Sequence, residues 1–315
     1  MARKMLTYIA IAALGFSGLT LWRAQANEAR AVAEYPPLGD FVEVDGQAVH
    51  YTVTGSGPDL VLIHGASGNL RDMTFALAET LARDYRVIAF DRPGLGHTPP
   101  TDDMSITAQA ALLAQAAATL GADKPLVVGQ SYGGAVALAW GVTQPDSVAA
   151  LVLLGAPSLP WSSDLSTLYK VNSHPVLSRL TVPLLAAWVP ESYVQNAIQG
   201  VFAPQSAPDG YADFVGAPLT LRRSALRANA VQRANLLAEI VDLNRRYEDI
   251  TAPIELVHGD ADTTVGLRIH SAPLAERLDG AALDALPGIG HMPHHVARDA
   301  TLAAIDRAAS RAGLR

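Results

Sequence analysis

The chain has 315 residues, 50% of them apolar and 17% charged, with a net charge of −7 and no cysteine. That apolar share belongs to a globular protein and excludes a disordered one, and the missing cysteine removes disulfides, thiolate metal sites and a cysteine nucleophile together. Twenty-three basic against 30 acidic residues exclude non-specific nucleic-acid binding, which needs a basic surface to release counterions.

Residues 1–26 read as a separate segment. Arg3 and Lys4 precede an uncharged run from Met5 to Trp22, and Ala24-Gln25-Ala26 follows Arg23. A basic start, an apolar stretch and an A-x-A site describe a secretory signal peptide. The run also reaches the roughly 18 residues that a spanning helix needs. Signal peptide and N-terminal membrane anchor therefore both stay open. Either one exports the rest of the chain, since Arg3 and Lys4 favour a cytoplasmic N-terminus. The folded part is expected outside, anchored to the membrane, or periplasmic or secreted if the leader is cleaved. Without the leader, 20 basic residues face 30 acidic ones. Residues 27–38 are polar and end in Tyr35-Pro36-Pro37, which predicts an extended linker.

From Gly39 the chain alternates. Phe41 to Asp45 and Gln47 to Val53 flank Asp45-Gly46, a hairpin signal. Continuous apolar runs follow at 59–63, 87–90, 126–128, 149–154 and 254–257, with a weaker one at 281–286. Such runs suit strands buried on both faces of a parallel sheet. Helix-length segments at 70–83, 105–120, 132–143, 267–278 and 296–312 lie between or after them. Strand and helix in turn predict an α/β class with helices on both sheet faces. Residues 158–250 break the rhythm. They hold no convincing buried strand, are cut by prolines, and carry aromatic residues such as Trp161, Trp188 and Tyr211. They read as a helical insertion over the sheet. The expected organisation is thus a core of 39–157 and 251–315 with a cap of 158–250.

Gly129-Gln130-Ser131-Tyr132-Gly133 fits G-x-S-x-G. The pattern alone is weak, but a strand candidate precedes it and a helix candidate follows. A strand turning sharply into a helix exposes a serine Oγ above the sheet. Glycines on either side avoid collisions within the turn, and the helix N-terminus offers N–H groups to a developing oxyanion.

Further motifs accompany the elbow: His64-Gly65-Ala66-Ser67-Gly68, Asp91-Arg92-Pro93-Gly94-Leu95-Gly96-His97-Thr98, His258-Gly259-Asp260-Ala261-Asp262 and Gly288-Ile289-Gly290-His291-Met292-Pro293-His294. With them the chain resembles the α/β-hydrolase fold superfamily, in its cap-bearing, esterase- and lipase-like serine hydrolase branch, from about residue 39 to 312. The resemblance implies a mostly parallel eight-stranded sheet with helices on both faces and an α-helical cap. It implies a triad in the order Ser131, Asp262, His291. Asp260 is the alternative acid. The family's proline shortly after the acid is replaced by Thr263-Thr264-Val265. The implied oxyanion hole uses the backbone N–H groups of Ala66 and Tyr132. Losing one such donor costs about 3 kcal/mol where it has been tested. The Asp91 loop is expected to be a structural turn beside the site.

The implied reaction is two-step acyl transfer on a small ester-like substrate. No cofactor and no metal residue is assigned. A zinc set of His291, His294 and His295 is conceivable, though no carboxylate is evident beside them in the sequence. Lactone, thioester or C–C hydrolysis, and a non-catalytic binding protein on the same fold, are the other readings.

Overall fold

The computed structural model describes residues 1–315, with the backbone alone at Ala76. One long helix, α1 (Ala2–Glu34), leads the chain. A hairpin of β1 (Asp40–Val44) and β2 (Gln47–Thr54) turns at Asp45-Gly46, where both residues have positive φ. Strand β3 (Asp59–Ile63) is followed by α2 (Leu70–Met73), a π-helical turn over Thr74–Ala78 and α3 (Glu79–Leu81). Then come β4 (Arg86–Phe90), α4 (Ile106–Thr119), β5 (Leu126–Gln130), α5 (Tyr132–Thr143) and β6 (Ala150–Leu154).

The insertion carries α6 (Thr167–Ser173), α7 (Ser178–Trp188), α8 (Glu191–Phe202), α9 (Tyr211–Val215) and α10 (Arg223–Leu243). It contains no strand among the described residues. The core resumes with β7 (Ile254–Gly259), α11 (Ser271–Arg277), β8 (Ala281–Leu286), α12 (Pro293–Val296) and α13 (Arg298–Arg311).

The eight strands form one sheet in the order β1-β2-β4-β3-β5-β6-β7-β8. Strands β3 to β8 are mutually parallel, and the hairpin is the antiparallel edge. This is the expected mostly parallel sheet with helices on both faces and a helical cap. Period-two alternation splits the core cleanly. Val61 and Ile63 pack with α4 and α5 on one face, while Leu60 and Leu62 pack with α2, α3 and α13 on the other. Buried on both sides, the central strands need no polar face, which is why their sequences do not alternate.

The start of the chain departs from the extended linker predicted over 27–38. Helix α1 runs on to Glu34, and only Tyr35-Pro36-Pro37 ends it. The physical reason is both local and tertiary. Ala24 and Ala31 are buried, and Asn27 Nδ2 donates to the Ala186 carbonyl of α7 at 2.9 Å. Glu28 accepts from Arg223 Nε of α10 at 2.7 Å. These contacts hold a segment that already favours helix, since Glu28, Ala29, Arg30, Ala31, Ala33 and Glu34 are strong helix formers.

Candidate active site

Ser131, Asp262, His291 and the loops at Ala66 and Asp91 sit beyond the carboxyl ends of parallel strands, where open α/β sheets place their crevices. Ser131 follows β5 directly. Its φ is 50° and ψ is −120°, in the left-handed half of the map, where a side chain is strained. The turn holds it there through Ser131 N–H donating to the Leu154 carbonyl at 2.8 Å. The glycines on either side are obligatory. A Cβ at Gly129 would strike the Gly133 carbonyl, and one at Gly133 would strike the Ile63 carbonyl.

His291 lies beyond β8 and Asp262 beyond β7. His291 Nε2 is 2.9 Å from Ser131 Oγ, and His291 Nδ1 is 2.7 Å from Asp262 Oδ2. All three are nearly buried, at 5%, 3% and 8% exposure for Ser131, His291 and Asp262. The remaining carboxylate oxygen, Asp262 Oδ1, accepts from the Thr264 and Val265 N–H groups at 2.8 and 2.9 Å. A proline at either position would remove a donor, so the departure from the family pattern is matched by this turn. Asp260 stays exposed and accepts from the Gly288 N–H, away from His291.

Burial pushes the Asp262 carboxyl up. Hydrogen bonds from His258 and His291 and from the Val265 N–H pull harder, and it ends well below the usual carboxylate range. His258 is a partner that sequence reasoning left unassigned. Its Nε2 donates to the Val265 carbonyl at 2.8 Å and lies 3.2 Å from Asp262 Oδ2. Its Nδ1 accepts from the Ser271 hydroxyl at 2.7 Å. It pins the acid loop from behind.

The loop after β3 lies against the elbow. A Cβ on Gly65 would sit 3.2 Å from Ser131 Cβ. Arg92, buried, donates from Nε to the His64 carbonyl at 2.9 Å and from Nη2 to the Gly65 carbonyl at 2.8 Å. In a trans peptide the next N–H points opposite the carbonyl. Holding Gly65 C=O on the Arg92 side therefore turns the Ala66 N–H away from Arg92. Ala66, Ser131 and His291 line one cavity of about 410 Å³. Tyr132 opens α5, so its N–H has no intrahelical acceptor. Its ring is buried under the Arg92 guanidinium, 4.3 Å away.

His64 is structural. Its Nδ1 donates to the Gly65 carbonyl at 2.9 Å and its Nε2 accepts from the Arg92 N–H at 3.0 Å. Burial, then the Arg92 charge, push it down to about 4, so it is neutral at pH 7. The cap completes this loop. Asn229 of α10 accepts from the Ser67 N–H at 2.8 Å, and Gln232 accepts from Arg92 at 2.7 Å. Asp91 accepts from the Leu70 and His97 N–H groups, both at 2.7 Å, and from His50 at 2.6 Å, as a structural turn requires.

The structure does not bring His291, His294 and His295 together. His294 and His295 instead face Asp72 on α2, a carboxylate the sequence did not place beside them. Asp72 accepts from His295 Nε2 at 2.9 Å, His294 Nε2 at 3.4 Å and the Tyr211 hydroxyl at 2.7 Å. Asp72, His294 and His295 each offer one ligand atom, all within 4.8 Å of one another. Their fit to a metal is poor. The facing atoms already bond one another, and Nδ1 of both histidines is buried without a partner among the described residues. A ligating imidazole normally donates that second N–H to an oxygen. Burial, then the neighbouring His295, push His294 down to about 4. The bonds from His294, His295 and Tyr211 to Asp72 tie α2, α9 and α12 together.

A family model described as the alpha/beta hydrolase fold matches residues 58–297. A pimeloyl-acyl carrier protein methyl ester esterase of Vibrio atlanticus is 27% identical over 230 residues, 70% of this chain and 83% of that protein. Among solved structures, a thermophilic esterase from Thermogutta terrifontis has a TM-score of 0.70 at 21% identity, covering 87% of this chain and 99% of its own. A membrane phospholipase A described as a bacterial virulence factor has a TM-score of 0.63 at 22% identity, covering 97% of this chain and 99% of its own. These two structures share the fold.

Proposed function

The chain belongs to the alpha/beta hydrolase family, and we propose that it is a serine hydrolase of carboxylic esters. The observation that carries this reading is the hydrogen-bonded series Asp262–His291–Ser131, of which His291 and Ser131 line a mostly apolar cavity. A serine hydroxyl is a poor nucleophile until a base stands within hydrogen-bond reach and a third group orients the base. The Vibrio atlanticus relative is a methyl ester esterase, which supports the same bond type.

In the proposed cycle Ser131 Oγ attacks the ester carbonyl carbon as His291 Nε2 takes its proton. The oxyanion of the tetrahedral intermediate accepts from the Ala66 and Tyr132 N–H groups. Collapse expels the alkoxide, which leaves as an alcohol with the proton from His291. Water then gives a proton to His291 and attacks the Ser131 ester. The acid leaves, and Ser131 recovers its proton. Asp262 stays ionised throughout and stabilises the imidazolium.

The test is a panel of esters and lactones assayed with wild type and Ser131→Ala. Ester turnover by wild type and none above background by the variant is the expected result. Equal turnover by both would remove Ser131 from the chemistry. Turnover of lactones alone would reassign the bond.

A further inference from the structure

Helix α1 is joined to the domain without slack. Residues 1–19 are exposed, and the first buried position is Thr20. At about 1.5 Å per residue, residues 2–19 extend about 27 Å, against a bilayer hydrocarbon core of about 30 Å. Docking begins at once. Phe16 stacks on Trp188 of α7, Thr20 Oγ1 accepts from Trp188 Nε1 at 3.0 Å, and Arg23 Nε donates to the Ala187 carbonyl at 2.7 Å. If the apolar stretch fills the bilayer, the C-terminal end of α7 lies at its surface.

That end of α7 continues an apolar stripe. Leu177, Leu180, Leu184 and Trp188 recur at helical spacing along one face, and Leu180 is 69% exposed. Val176, just before α7, is 60% exposed. Exposed apolar positions this close together are unusual on a soluble surface. Beside the stripe runs an apolar groove of about 460 Å³ between α6 and α7, lined by Leu184 and Trp188. The groove and the cavity above Ser131 share Leu168, Asn172 and Leu185. A path flanked by Leu168 and Leu185, with Asn172 between the two spaces, thus leads from the outer face of the cap to the candidate nucleophile.

We propose that α1 is retained as an anchor, that the α6–α7 face rests on the bilayer, and that the substrate is a membrane-resident lipid carrying a fatty-acyl ester, whose chain enters through this groove. The proposal rests on the esterase reading of Ser131. The occupant is a bilayer rather than a second copy because the stripe meets α1 where α1 leaves the domain.

Two arms test it on the full chain reconstituted in vesicles. The chain lacks cysteine, so Leu180→Cys and Asp123→Cys each accept a single fluorescent label. Brominated lipids should quench the label at 180 at least fivefold more than that at 123, which is exposed beside the amino end of β5. Equal quenching would overturn the seating, as would a label shielded by a second copy without bromine quenching. A mature protein beginning near Asn27 would overturn the anchor.

In the second arm, Val176→Asp/Leu180→Asp should release fatty acid from vesicle lipids at least tenfold more slowly than wild type. Its turnover of a soluble short-chain ester should stay within twofold, which also certifies the fold. Diacylphospholipid, monoacylphospholipid and diacylglycerol in separate vesicles identify the acyl donor. Unchanged vesicle turnover by the variant, or none of the three lipids hydrolysed by a wild type active on soluble ester, would overturn the proposal. A wild type inactive on the soluble ester as well would instead indict the esterase reading, while the quenching arm would still decide the seating.

Discussion

His291→Ala should lower kcat/KM for short p-nitrophenyl esters by about 10⁴-fold or more, whereas His294→Ala should leave it within about fivefold. Both histidines belong to the same short loop and helix after β8, and both are buried. Only His291 points at Ser131, with Nε2 2.9 Å from Oγ. Its loss leaves the hydroxyl without a proton acceptor, and a neutral serine hydroxyl attacks esters very slowly. His294 bonds Asp72 instead, so its removal costs stability, about 1–3 kcal/mol for a buried partner left unsatisfied. Steady-state kinetics on folded, quantified protein checks both. A dead His294→Ala with an active His291→Ala would mean that the base has been misassigned.

Asp262→Asn should cost about 10³- to 10⁴-fold in kcat, and Asp260→Asn less than about threefold. The reason is the turn at Thr264 and Val265. Two backbone N–H groups bond Asp262 Oδ1, so in the asparagine variant the carbonyl oxygen must occupy that position. The amide NH₂ then faces His291 Nδ1. A donor there forces the imidazole into the tautomer with its proton on Nε2, which cannot accept from Ser131. The fold is kept and the base is disabled. Asp260 only caps the Gly288 N–H from an exposed position. Parallel kinetics and melting curves check the pair. A larger activity loss in Asp260→Asn would move the acid by two residues.

Much of this architecture is legible in the sequence because its signals are local. The apolar runs at 59–63 and 254–257 match β3 and the start of β7, since strands buried on both faces cannot hide their pattern. Asp45-Gly46 marks the hairpin turn because few other residue pairs adopt positive φ twice. The elbow around Ser131 is legible for the same kind of reason, as its glycines answer to collisions within a few residues. What the sequence concealed is long-range. Arg92 orients the loop before Ala66, yet its partner Gln232 lies 140 positions away in the cap. His258 opens the motif that holds Asp262, but nothing in that motif shows its bond to the Val265 carbonyl, which backs the acid. Asp72 lies more than 220 positions from His294 and His295, so the pairing that occupies both histidines could not be seen beside them. The continuation of α1 to Glu34 joins a local preference, carried by its Ala, Glu and Arg residues, to contacts with α7 and α10 that no local pattern shows.

In the proposed cycle Ser131 carries the acyl group. The most direct measurement is the mass of the intact protein after exposure to a fluorophosphonate, followed by peptide mapping of the adduct. A single adduct per chain is expected on the peptide containing Ser131, absent from Ser131→Ala and strongly slowed in His291→Ala. Labelling that survives Ser131→Ala, or no adduct on a wild type that hydrolyses esters, would contradict it.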